Sequence, residues 1–398
     1  MSCSDKVESN VDWAHYLGDA EKTQYSKASQ INPSNVSSLK VAWEYSSADR
    51  DTSNRSQIQC NPLVIDGVLY GTSARLKLFA LSADQGEELW TFDPFDGDFQ
   101  QFGMGVNRGL AYHAGDSGSR IFFSAGDQLF CVDPANGKLI DSFGDGGSID
   151  LHKGLDDSAS ELFINSNSPG IIYKDLIIQG SRVSESIGAA PGHIRAFNVY
   201  TGDLEWIFHT IPRPADEGYE TWPMDAYSRI GGANVWAGFS LDLERGIVYC
   251  PTGSASYDFY GGDRSGDNLY ANCVVALDAN TGKKLWHFQT IHHDLWDKDL
   301  PIAPNLVTIL QNGKRIDAVA QATKNGFLYI LDRETGEPLH PVEEIAVPQS
   351  TLRGEHSSET QPWPSGYPAF SRQTISEEDL ATRNKEASDY AKYIFDNT

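Results

Sequence analysis

A single hydrophobic–polar phrase returns along the chain and predicts most of its secondary structure. Short apolar runs end in Asp or Asn, a polar turn with a glycine follows, and a second run then leads to a large residue, often Trp. The pattern predicts two β-strands joined by a tight turn whose glycine adopts positive φ. The five copies lie at 80–90, 131–143, 196–206, 276–286 and 330–340, with turn glycines Gly86, Gly137, Gly202, Gly282 and Gly336. Because one hairpin cannot bury its apolar face alone, the copies are expected to stack.

The spacing of the copies predicts a β-propeller. The turn glycines lie about 50 to 80 residues apart, a spacing typical of four-stranded blades with insertions. We therefore predict an all-β fold with one domain over residues 11–398, preceded by a disordered tail at 1–10. About five to six blades are expected. They either close as a ring of short blades or form the N-terminal part of a longer propeller.

Several segments carry more specific predictions. The run LKVAWEY (39–45) follows a turn and a short helical segment and is predicted to be a strand that could close the ring. KLIDSF (138–143) and the residues after Gly336 are predicted strands of the second and fifth blades. Residues 373–398 are predicted to be helical, with Ser376 as the N-cap.

Composition and charge narrow the possible partners. The chain has 398 residues, 36 glycines and 40% apolar residues, which suits a turn-rich β protein. Its net charge of −24 argues against binding to nucleic acid or to an anionic membrane surface. The five cysteines form no CxxC pair, so zinc and thioredoxin-like chemistry are disfavoured. No run of 18 apolar residues occurs, so no membrane-spanning segment is predicted.

Ordered motifs along almost the whole chain resemble a known family. They begin with Asp12-Trp13, Gly18, Tyr25-Ser26, Gln30-Ile31-Asn32, Asn35-Val36, Leu39-Lys40 and Ala42-Trp43, and continue with NPLVIDGVLYGTS, VNRGLAYH, HHDLWDKDLP and NGFLYILDRETGE. Together they resemble the PQQ-dependent quinoprotein dehydrogenases, and the membrane-type glucose dehydrogenase branch fits better than the methanol branch. The resemblance implies an eight-bladed propeller with PQQ and a divalent cation, usually Ca²⁺, on its axis. By that standard the chain is expected to be an N-terminal fragment.

The segment 292–301 is the densest cluster of candidate chemistry. Alternation along an extended segment would place Asp297 and Asp299 on one side, where paired carboxylates could bind a hard cation or act as a base. Solvated loop acids would explain the same pattern. The resemblance implies that Asp297 is the catalytic base and a metal ligand. It also implies that Asp299 is a candidate ligand, and it leaves Ca²⁺, another divalent cation or a lanthanide open.

Five residues match cofactor-binding positions of the resembled family. Lys324 matches a basic residue at the PQQ quinone oxygens, where it would also stabilise charge during catalysis. Arg108 matches a residue that binds a PQQ carboxylate, and Trp236 matches the tryptophan on which the PQQ ring stacks. Asn167 and Ser168 are assigned weaker contacts with a PQQ carboxylate. Without the resemblance, Lys324 could be a turn lysine and Trp236 a blade-core tryptophan.

Three further positions complete the implied site. Glu185 matches the carboxylate metal ligand of the family. Ser254 falls where methanol-type enzymes place an Asn ligand, so its weaker contact could be lost or passed to Ser256 or water. His113 matches a catalytic-site histidine of the sugar branch, although a lone histidine is otherwise most often structural.

The resemblance implies a PQQ- and Ca²⁺-dependent dehydrogenase. It would oxidise a sugar or another alcohol by hydride transfer to the quinone, with Asp297 as the general base. The loops at 210–232 and 255–270 are the predicted specificity loops, and they contain no decodable motif. The alternative is a non-catalytic propeller, a scaffold or binding protein. It would share the repeated phrase but would not need Arg108, Glu185 and Lys324 in register.

Electron transfer and location follow from the same resemblance. No CxxCH haem motif is present, so the expected electron acceptor is a quinone or a separate cytochrome. The expected location is the periplasm. Ser2-Cys3 ahead of a polar stretch could carry a lipid anchor, or it could simply be where the given sequence begins.

Overall fold

The regular structure of the chain is almost entirely antiparallel β-sheet. The computed structural model describes residues 11–50, 56–98 and 105–397. Within these ranges the strands form four sheets of four strands, one sheet of three strands and two sheets of two strands. Nearly all strands pair with their neighbours in sequence. The predicted all-β fold with four-stranded blades is therefore confirmed.

The sheets follow one another along the chain. The first contains β1 (Leu63–Ile65), β2 (Val68–Thr72), β3 (Leu78–Ser82) and β4 (Glu88–Phe92). The second contains β5 (Ala111–His113), β6 (Arg120–Ala125), β7 (Gln128–Val132) and β8 (Ser148–Asp150). The third is preceded by β9 (Ile164–Asn165) and contains β10 (Ile171–Tyr173), β11 (Leu176–Gln179), β13 (Ile194–Asn198) and β14 (Leu204–Phe208), while β12 (Arg182–Val183) pairs with β9.

The remaining elements complete the described part of the chain. The fourth sheet contains β15 (Ser240–Asp242), β16 (Ile247–Pro251), β17 (Cys273–Asp278) and β18 (Lys284–Gln289). The fifth contains β19 (Asn305–Gln311), β20 (Lys314–Ala322) and β21 (Leu328–Asp332), followed by the hairpin β22 (Val342–Ala346) and β23 (Thr360–Pro364). Short 3-10 turns occur at Val36–Ser38, Asp157–Ala159, Tyr219–Thr221, Ala226–Ser228 and Glu377–Asp379, and α1 spans Lys385–Asn397.

The hydrophobic core lies between successive sheets. In β6, for example, Phe123 packs with residues of the first sheet, whereas its neighbour Phe122 packs with residues of the third. In β11, Ile177 and Ile178 divide in the same way between the second and fourth sheets. Side chains alternate across a strand, so a continuous apolar run supplies both faces of a buried sheet. The sheets are thus stacked face to face, as the repeated phrase predicts.

A tryptophan and a glycine join most sheets to the next. The indole N–H of Trp206 in β14 donates to the Ala279 carbonyl (3.2 Å), and a Cβ on Gly282 would lie 2.4 Å from the same ring. The equivalent pairs are Trp43 with Gly86, Trp90 with Gly137, and Trp286 with Gly336. All five turn glycines have φ between +69° and +75°. The repeated phrase therefore specifies contacts between blades as well as the turn inside each blade.

The predicted strand 138–143 of the second sheet is wrong. Leu139 forms only an isolated bridge with Val132, and the fourth strand is β8 instead. Phe143 is fully buried, and glycines with positive φ then turn the chain into β8. We call the contact between two successive sheets a seam. In the seam between the second and third sheets, Gly202 packs against the backbone of Gly144, where the other seams have an indole ring.

Two other predicted strands are also absent from the described residues. After Gly336, Pro338 makes a single bridge with Leu331, and proline has no N–H with which to continue a ladder. The segment 39–45 is extended but forms no strand. It contacts the first sheet through side chains, because Trp43 donates to the Ala83 carbonyl and packs on its turn.

The C-terminal helix prediction is correct only in part. Ser376 forms a capping box with Asp379, as its sequence position suggests, but it caps the 3-10 turn Glu377–Asp379. Leu380 is extended and ends that turn, so α1 begins later, at Lys385. No described helix is both long and apolar enough to cross a bilayer. The predicted tail at 1–10, including Cys3, lies outside the described residues.

Candidate active site

A cavity of about 240 Å³ collects residues from the second to the fifth sheet. It is lined by Arg108, Asn167, Arg182, Val183, Ser184, Glu185, Asn234, Trp236, Ser254, Ser256, Asp258, Asp297, Asp299 and Lys324. The predicted site residues among them come from segments far apart in sequence. They share one position in each blade, either just before its first strand or just after its second. These two points lie at the same end of a sheet because the two strands are antiparallel.

A lysine and two carboxylates form the charged centre of the cavity. The Lys324 ammonium donates to both carboxylate oxygens of Asp297 (3.0 Å each) and to Asp299 (3.2 Å). Burial and the neighbouring Asp299 charge raise the pKa of Asp297, and Lys324 opposes this shift. Burial acts to lower the pKa of Lys324, but the two carboxylates outweigh it and raise that pKa. Asp297 and Asp299 therefore both face Lys324, as predicted, although the segment is not the extended strand on which that prediction was based.

A buried carboxylate, Asp294, holds the loop that carries these two acids. It accepts hydrogen bonds from the backbone N–H groups of Trp296 and Lys298 and from Asn272 Nδ2 (3.0 Å). These bonds fold the loop so that Asp297 takes a left-handed φ of +52°. Asp294 is one of the three acids in the 292–301 cluster, but sequence spacing alone does not reveal its structural task.

Ser254 lines the cavity but is already engaged. Its hydroxyl donates to Asp294, and its backbone N–H donates to Asp299. The hydroxyl oxygen also accepts from Asn272 Nδ2 (3.2 Å), and the metal contact of Ser254 stays a prediction. The described contacts support a second task for Ser254, which is to tie the β16–β17 loop to the acidic loop.

The other side of the cavity combines an aromatic ring with cations. The Arg108 guanidinium lies 5.3 Å and the Lys324 ammonium 6.0 Å from the Trp236 ring centroid. Nη1 of Arg108 is buried and has no hydrogen-bond partner among the described residues, and burial lowers the pKa of this side chain. An indole face flanked by two cations, one with a free N–H, fits a planar anionic cofactor such as PQQ.

The neighbours of Arg108 and Trp236 hold this arrangement in place. The Arg108 backbone N–H donates to the Asn167 carbonyl (2.7 Å). Ser168 Oγ donates to the Trp236 carbonyl (2.7 Å), and the Trp236 indole donates to Asp299 (3.1 Å). Asn167 lines the cavity, whereas Ser168 supports its wall from behind. Asn167 thus contacts Arg108, and the adjacent Ser168 contacts Trp236; Arg108 and Trp236 are the two residues predicted to bind the cofactor.

His113 is not brought to the cavity. Its Nε2 lies 4.0 Å from an Asp175 carboxylate oxygen, and its ring packs edge-on against Tyr200. Burial lowers the pKa of this imidazole, which favours its neutral form. The predicted part of His113 in catalysis stays a prediction that no described contact supports.

The metal candidates are oxygen donors, the chemistry that a hard cation such as Ca²⁺ prefers. Glu185 lies exposed at the rim of the cavity, and Asp297 and Asp299 share the Lys324 ammonium. Within the described residues, no three His, Cys, Asp or Glu side chains are grouped so as to enclose a metal ion. The donor chemistry therefore fits Ca²⁺, while the side chains as placed pair with lysine.

Asp258 is a site residue that the sequence alone did not reveal. It follows β16 in the predicted specificity loop at 255–270, and only 6% of its surface is exposed. Burial raises the pKa of Asp258 to about 7, and the charges of Asp297 and Asp299 add to this effect. The loop holds three aspartates, and their spacing carries no periodic or motif signal that singles out Asp258. Only the tertiary fold shows that it lines the same cavity as the other acids.

Comparison with known proteins identifies the family of the chain. Residues 13–398 match the family model for the β-propeller domain of PQQ-dependent glucose, ethanol and alcohol dehydrogenases. The quinate/shikimate dehydrogenase (quinone) of Acinetobacter baylyi is 34% identical over 94% of this chain and 49% of its own length. The quinoprotein glucose dehydrogenase of Escherichia coli is 33% identical over 88% of this chain and 46% of its own length.

A solved structure gives the same result. The quinohemoprotein alcohol dehydrogenase from Comamonas testosteroni superimposes with a TM-score of 0.70 at 28% identity, over 89% of this chain and 52% of that protein. The chain thus spans about half the length of the relatives that it matches. By its matched residues and its fold, the chain belongs to the PQQ-dependent quinoprotein dehydrogenase family.

Proposed function

We propose that the protein is a PQQ- and Ca²⁺-dependent dehydrogenase that oxidises a sugar or another alcohol, with Asp297 as the general base. The observation that carries the proposal is the convergence of Asp297, Lys324, Trp236 and Arg108 on one cavity, although they come from the second, fourth and fifth sheets. A non-catalytic propeller would need the seams between sheets but not this arrangement.

The residues of the chain have distinct tasks in this proposal. Arg108 binds a carboxylate of PQQ through its free N–H, and Trp236 supports the ring. Glu185 and Asp297 hold Ca²⁺, with Asp299 as a further oxygen donor. When bound, PQQ supplies the hydride acceptor and Ca²⁺ supplies a Lewis acid.

The proton and the charge are handled by side chains of the cavity. Asp297 accepts the hydroxyl proton of the substrate, which is the task of a general base. Lys324 holds the Asp297 carboxylate in place and supplies positive charge where negative charge develops. The overall reaction removes a hydride from the alcohol carbon and a proton from its hydroxyl group.

Electron transfer and location belong to the same proposal. A quinone acceptor is supported by the name of the A. baylyi relative, a quinate/shikimate dehydrogenase (quinone). A separate cytochrome would serve the same purpose. We place the protein in the periplasm, with Cys3 as the candidate site of lipid attachment.

The proposal is tested by reconstitution of the full-length protein with PQQ and Ca²⁺. We expect dye-linked oxidation of at least one member of a panel of sugars and alcohols, together with quenching of tryptophan fluorescence as PQQ binds. Omission of PQQ is the control and should abolish the oxidation. Failure to bind PQQ and to oxidise any substrate would refute the enzyme function and favour the scaffold alternative.

A further inference from the structure

A buried arginine, Arg264, joins the loop at 255–270 to the acidic loop, which comprises residues 292–299. Only 1% of the surface of Arg264 is exposed. Its Nη2 donates to the Asp294 carbonyl, and its Nη1 donates to Asn268 Oδ1 (2.8 Å). Asn268 Nδ2 in turn donates to the Arg264 carbonyl (2.6 Å). The guanidinium is therefore held by its own loop at the point where it binds the backbone of the acidic loop.

A histidine adds two further bonds between these loops. His293 Nδ1 donates to the Gly266 carbonyl (2.7 Å), and the His293 backbone N–H donates to the Asp267 carbonyl (3.3 Å). This imidazole is buried, with 4% of its surface exposed. The loop at 255–270 thus fixes two successive residues, His293 and Asp294, just ahead of the proposed base.

The side chain of Asp294 carries this constraint to the base. Its carboxylate, 3% exposed, accepts hydrogen bonds from the backbone N–H groups of Trp296 (2.9 Å) and Lys298. These two residues flank Asp297 on either side. A hydrogen bond from a charged donor is stronger than one between neutral groups, so the Arg264 contact is a firm anchor for Asp294. Any movement of Asp294 would shift both neighbours of Asp297.

Arg264 itself stands behind the cavity. It is not one of the described residues that line the cavity, whereas Asp297 is. An effect of Arg264 on the reaction therefore has to pass through the acidic loop. A displacement of about 1 Å in a reacting group can cost about 100-fold in rate, so a buried anchor of this loop matters for catalysis.

We propose that Arg264 is a positioning residue for Asp297: by binding the Asp294 carbonyl, it keeps the acidic loop in the conformation that presents Asp297 to the cavity. This inference rests on the proposed dehydrogenase function and deepens it. The loop at 255–270 then positions the base, a task that its predicted part in specificity does not include.

The first test is amide hydrogen exchange in full-length protein without PQQ, followed by mass spectrometry of peptides that cover 292–300. In Arg264→Met, the slow amides of this segment should exchange about 10- to 100-fold faster than in wild type, because a hydrogen bond from a charged donor is lost. Arg264→Lys keeps a charged donor without the planar fork and should retain part of the protection.

Arg229→Met is the matched control. Arg229 also donates to a carbonyl of the loop at 255–270, that of Asp263 (2.8 Å), but its other partner is Asp225, outside the acidic loop. Exchange of 292–300 in this variant should equal that of wild type.

The second test is steady-state kinetics of full-length protein reconstituted with PQQ and Ca²⁺, at a temperature where circular dichroism shows each variant folded. Arg264→Met should lower kcat by about 10- to 100-fold and leave KM close to the wild-type value, because a displaced base slows the chemical step. Arg264→Lys should recover part of this loss. The affinity for PQQ, measured by fluorescence titration, should not change, since Arg264 stands behind the lining.

The outcomes separate this inference from the function on which it rests. If wild type oxidises none of the substrates, the proposed function fails and the inference fails with it. If wild type is active, then faster exchange with an unchanged kcat, or a lower kcat with unchanged exchange, overturns the inference alone. Equal losses of kcat and PQQ affinity would show a general disturbance of the cavity and would also overturn it. If Arg264→Met does not fold, the same criteria apply to Arg264→Lys.

Discussion

The seams between the sheets and the cavity at their ends are built on opposite principles. At a seam such as Trp206 with Gly282, an aromatic ring lies on a glycine and its N–H reaches a backbone carbonyl. In the cavity, the Nη1 nitrogen of Arg108 is buried and has no hydrogen-bond partner among the described residues. The indole N–H is thus paired at the seam, whereas a guanidinium nitrogen in the cavity is left without a partner.

This difference separates stability from function. The seam contact recurs with four tryptophans. Trp90, Trp206 and Trp286 end copies of the repeated phrase, and Trp43 lies ahead of the first copy. The cavity residues come from the segments between the copies, where no repeat constrains them. Unpaired buried charges cost stability, and they are retained where a ligand supplies the partner. The comparison predicts that seam variants lower stability and cavity variants lower activity or binding.

The largest effect is expected for the proposed base. Asp297→Asn should lower kcat of the reconstituted full-length enzyme by about 10²- to 10⁴-fold, since the amide cannot accept the substrate proton. Its melting temperature should stay close to that of wild type, because Asp297 is about one-third exposed at the cavity. Steady-state dye-linked assays and thermal melts measure the two quantities. An active Asp297→Asn variant would remove the general base from the proposed mechanism.

A seam variant should show the reverse pattern. Trp206→Ala should cost about 3–5 kcal/mol of unfolding free energy, because it empties a buried indole site against Gly282. Trp206→Phe keeps a ring but loses the hydrogen bond to the Ala279 carbonyl. The loss of this bond should cost about 1 kcal/mol of unfolding free energy, in addition to the cost of the changed packing. Urea denaturation measures both. Trp296→Ala is the control, since that side chain is 72% exposed, and an equal loss there would break the comparison.

A variant of Arg108 tests whether the unpaired guanidinium nitrogen binds a carboxylate of PQQ. Arg108→Gln should weaken PQQ binding by about 10- to 100-fold, because a charge-assisted hydrogen bond and a cation beside Trp236 are lost. The free energy of unfolding without PQQ should not fall, since no described partner of Nη1 is removed. Fluorescence titration and urea denaturation give the two values. Arg315→Gln, at an exposed position, should leave both unchanged.

The smallest effect concerns pH and His287 of β18, which packs edge-on against Tyr270. Burial and the nearby Lys284 lower the pKa of His287 to about 4. The unfolded chain binds this proton near pH 6.5, so the contribution of His287 is complete above pH 6.5 and is lost as the pH falls toward 4. His287→Phe should therefore lose less in Tm than wild type over this range, by about 2–4 °C.

His152 provides an opposite control for the pH experiment. Burial acts to lower its pKa, but hydrogen bonds to the Leu162 carbonyl and to Asp150 outweigh this and raise it. Its contribution is therefore complete below pH 6.5 and is lost above that value. His152→Gln should lower the melting temperature by a constant amount below pH 6.5 and by less above it. Between pH 6.5 and pH 4 its melting temperature should fall as steeply as that of wild type. If the melting temperature of His152→Gln fell less than that of wild type between pH 6.5 and pH 4, the assignment of the acid-induced loss of stability to His287 would be contradicted.

The correct predictions of the fold depend on neighbouring residues, whereas the incorrect ones depend on contacts between segments that are distant in sequence. The turn glycines and the strands before them were predictable because φ and side-chain alternation depend on neighbouring residues. The strands predicted at 39–45 and 138–143 carried suitable apolar patterns but do not form, because a strand also needs a partner at the right place. α1 starts later than expected because Leu380 ends the capped turn.

For the site, resemblance and tertiary structure contributed different parts. The motifs located Arg108, Trp236, Asp297 and Lys324, and the fold brings these four to one cavity. The motif position of His113 gave no indication that its ring would turn toward Tyr200 instead.

The sequence by itself determined the local chemistry of this protein. Glycines with positive φ, alternating apolar strands and an aromatic residue after each turn are short-range features, and they specify blades and seams. Only the tertiary structure decided that Ser254 binds Asp294 and that Asp258 lines the same cavity as Asp297 and Asp299. The physical reason is that burial and partnership depend on where distant segments meet when sheets stack, and no local pattern records that meeting.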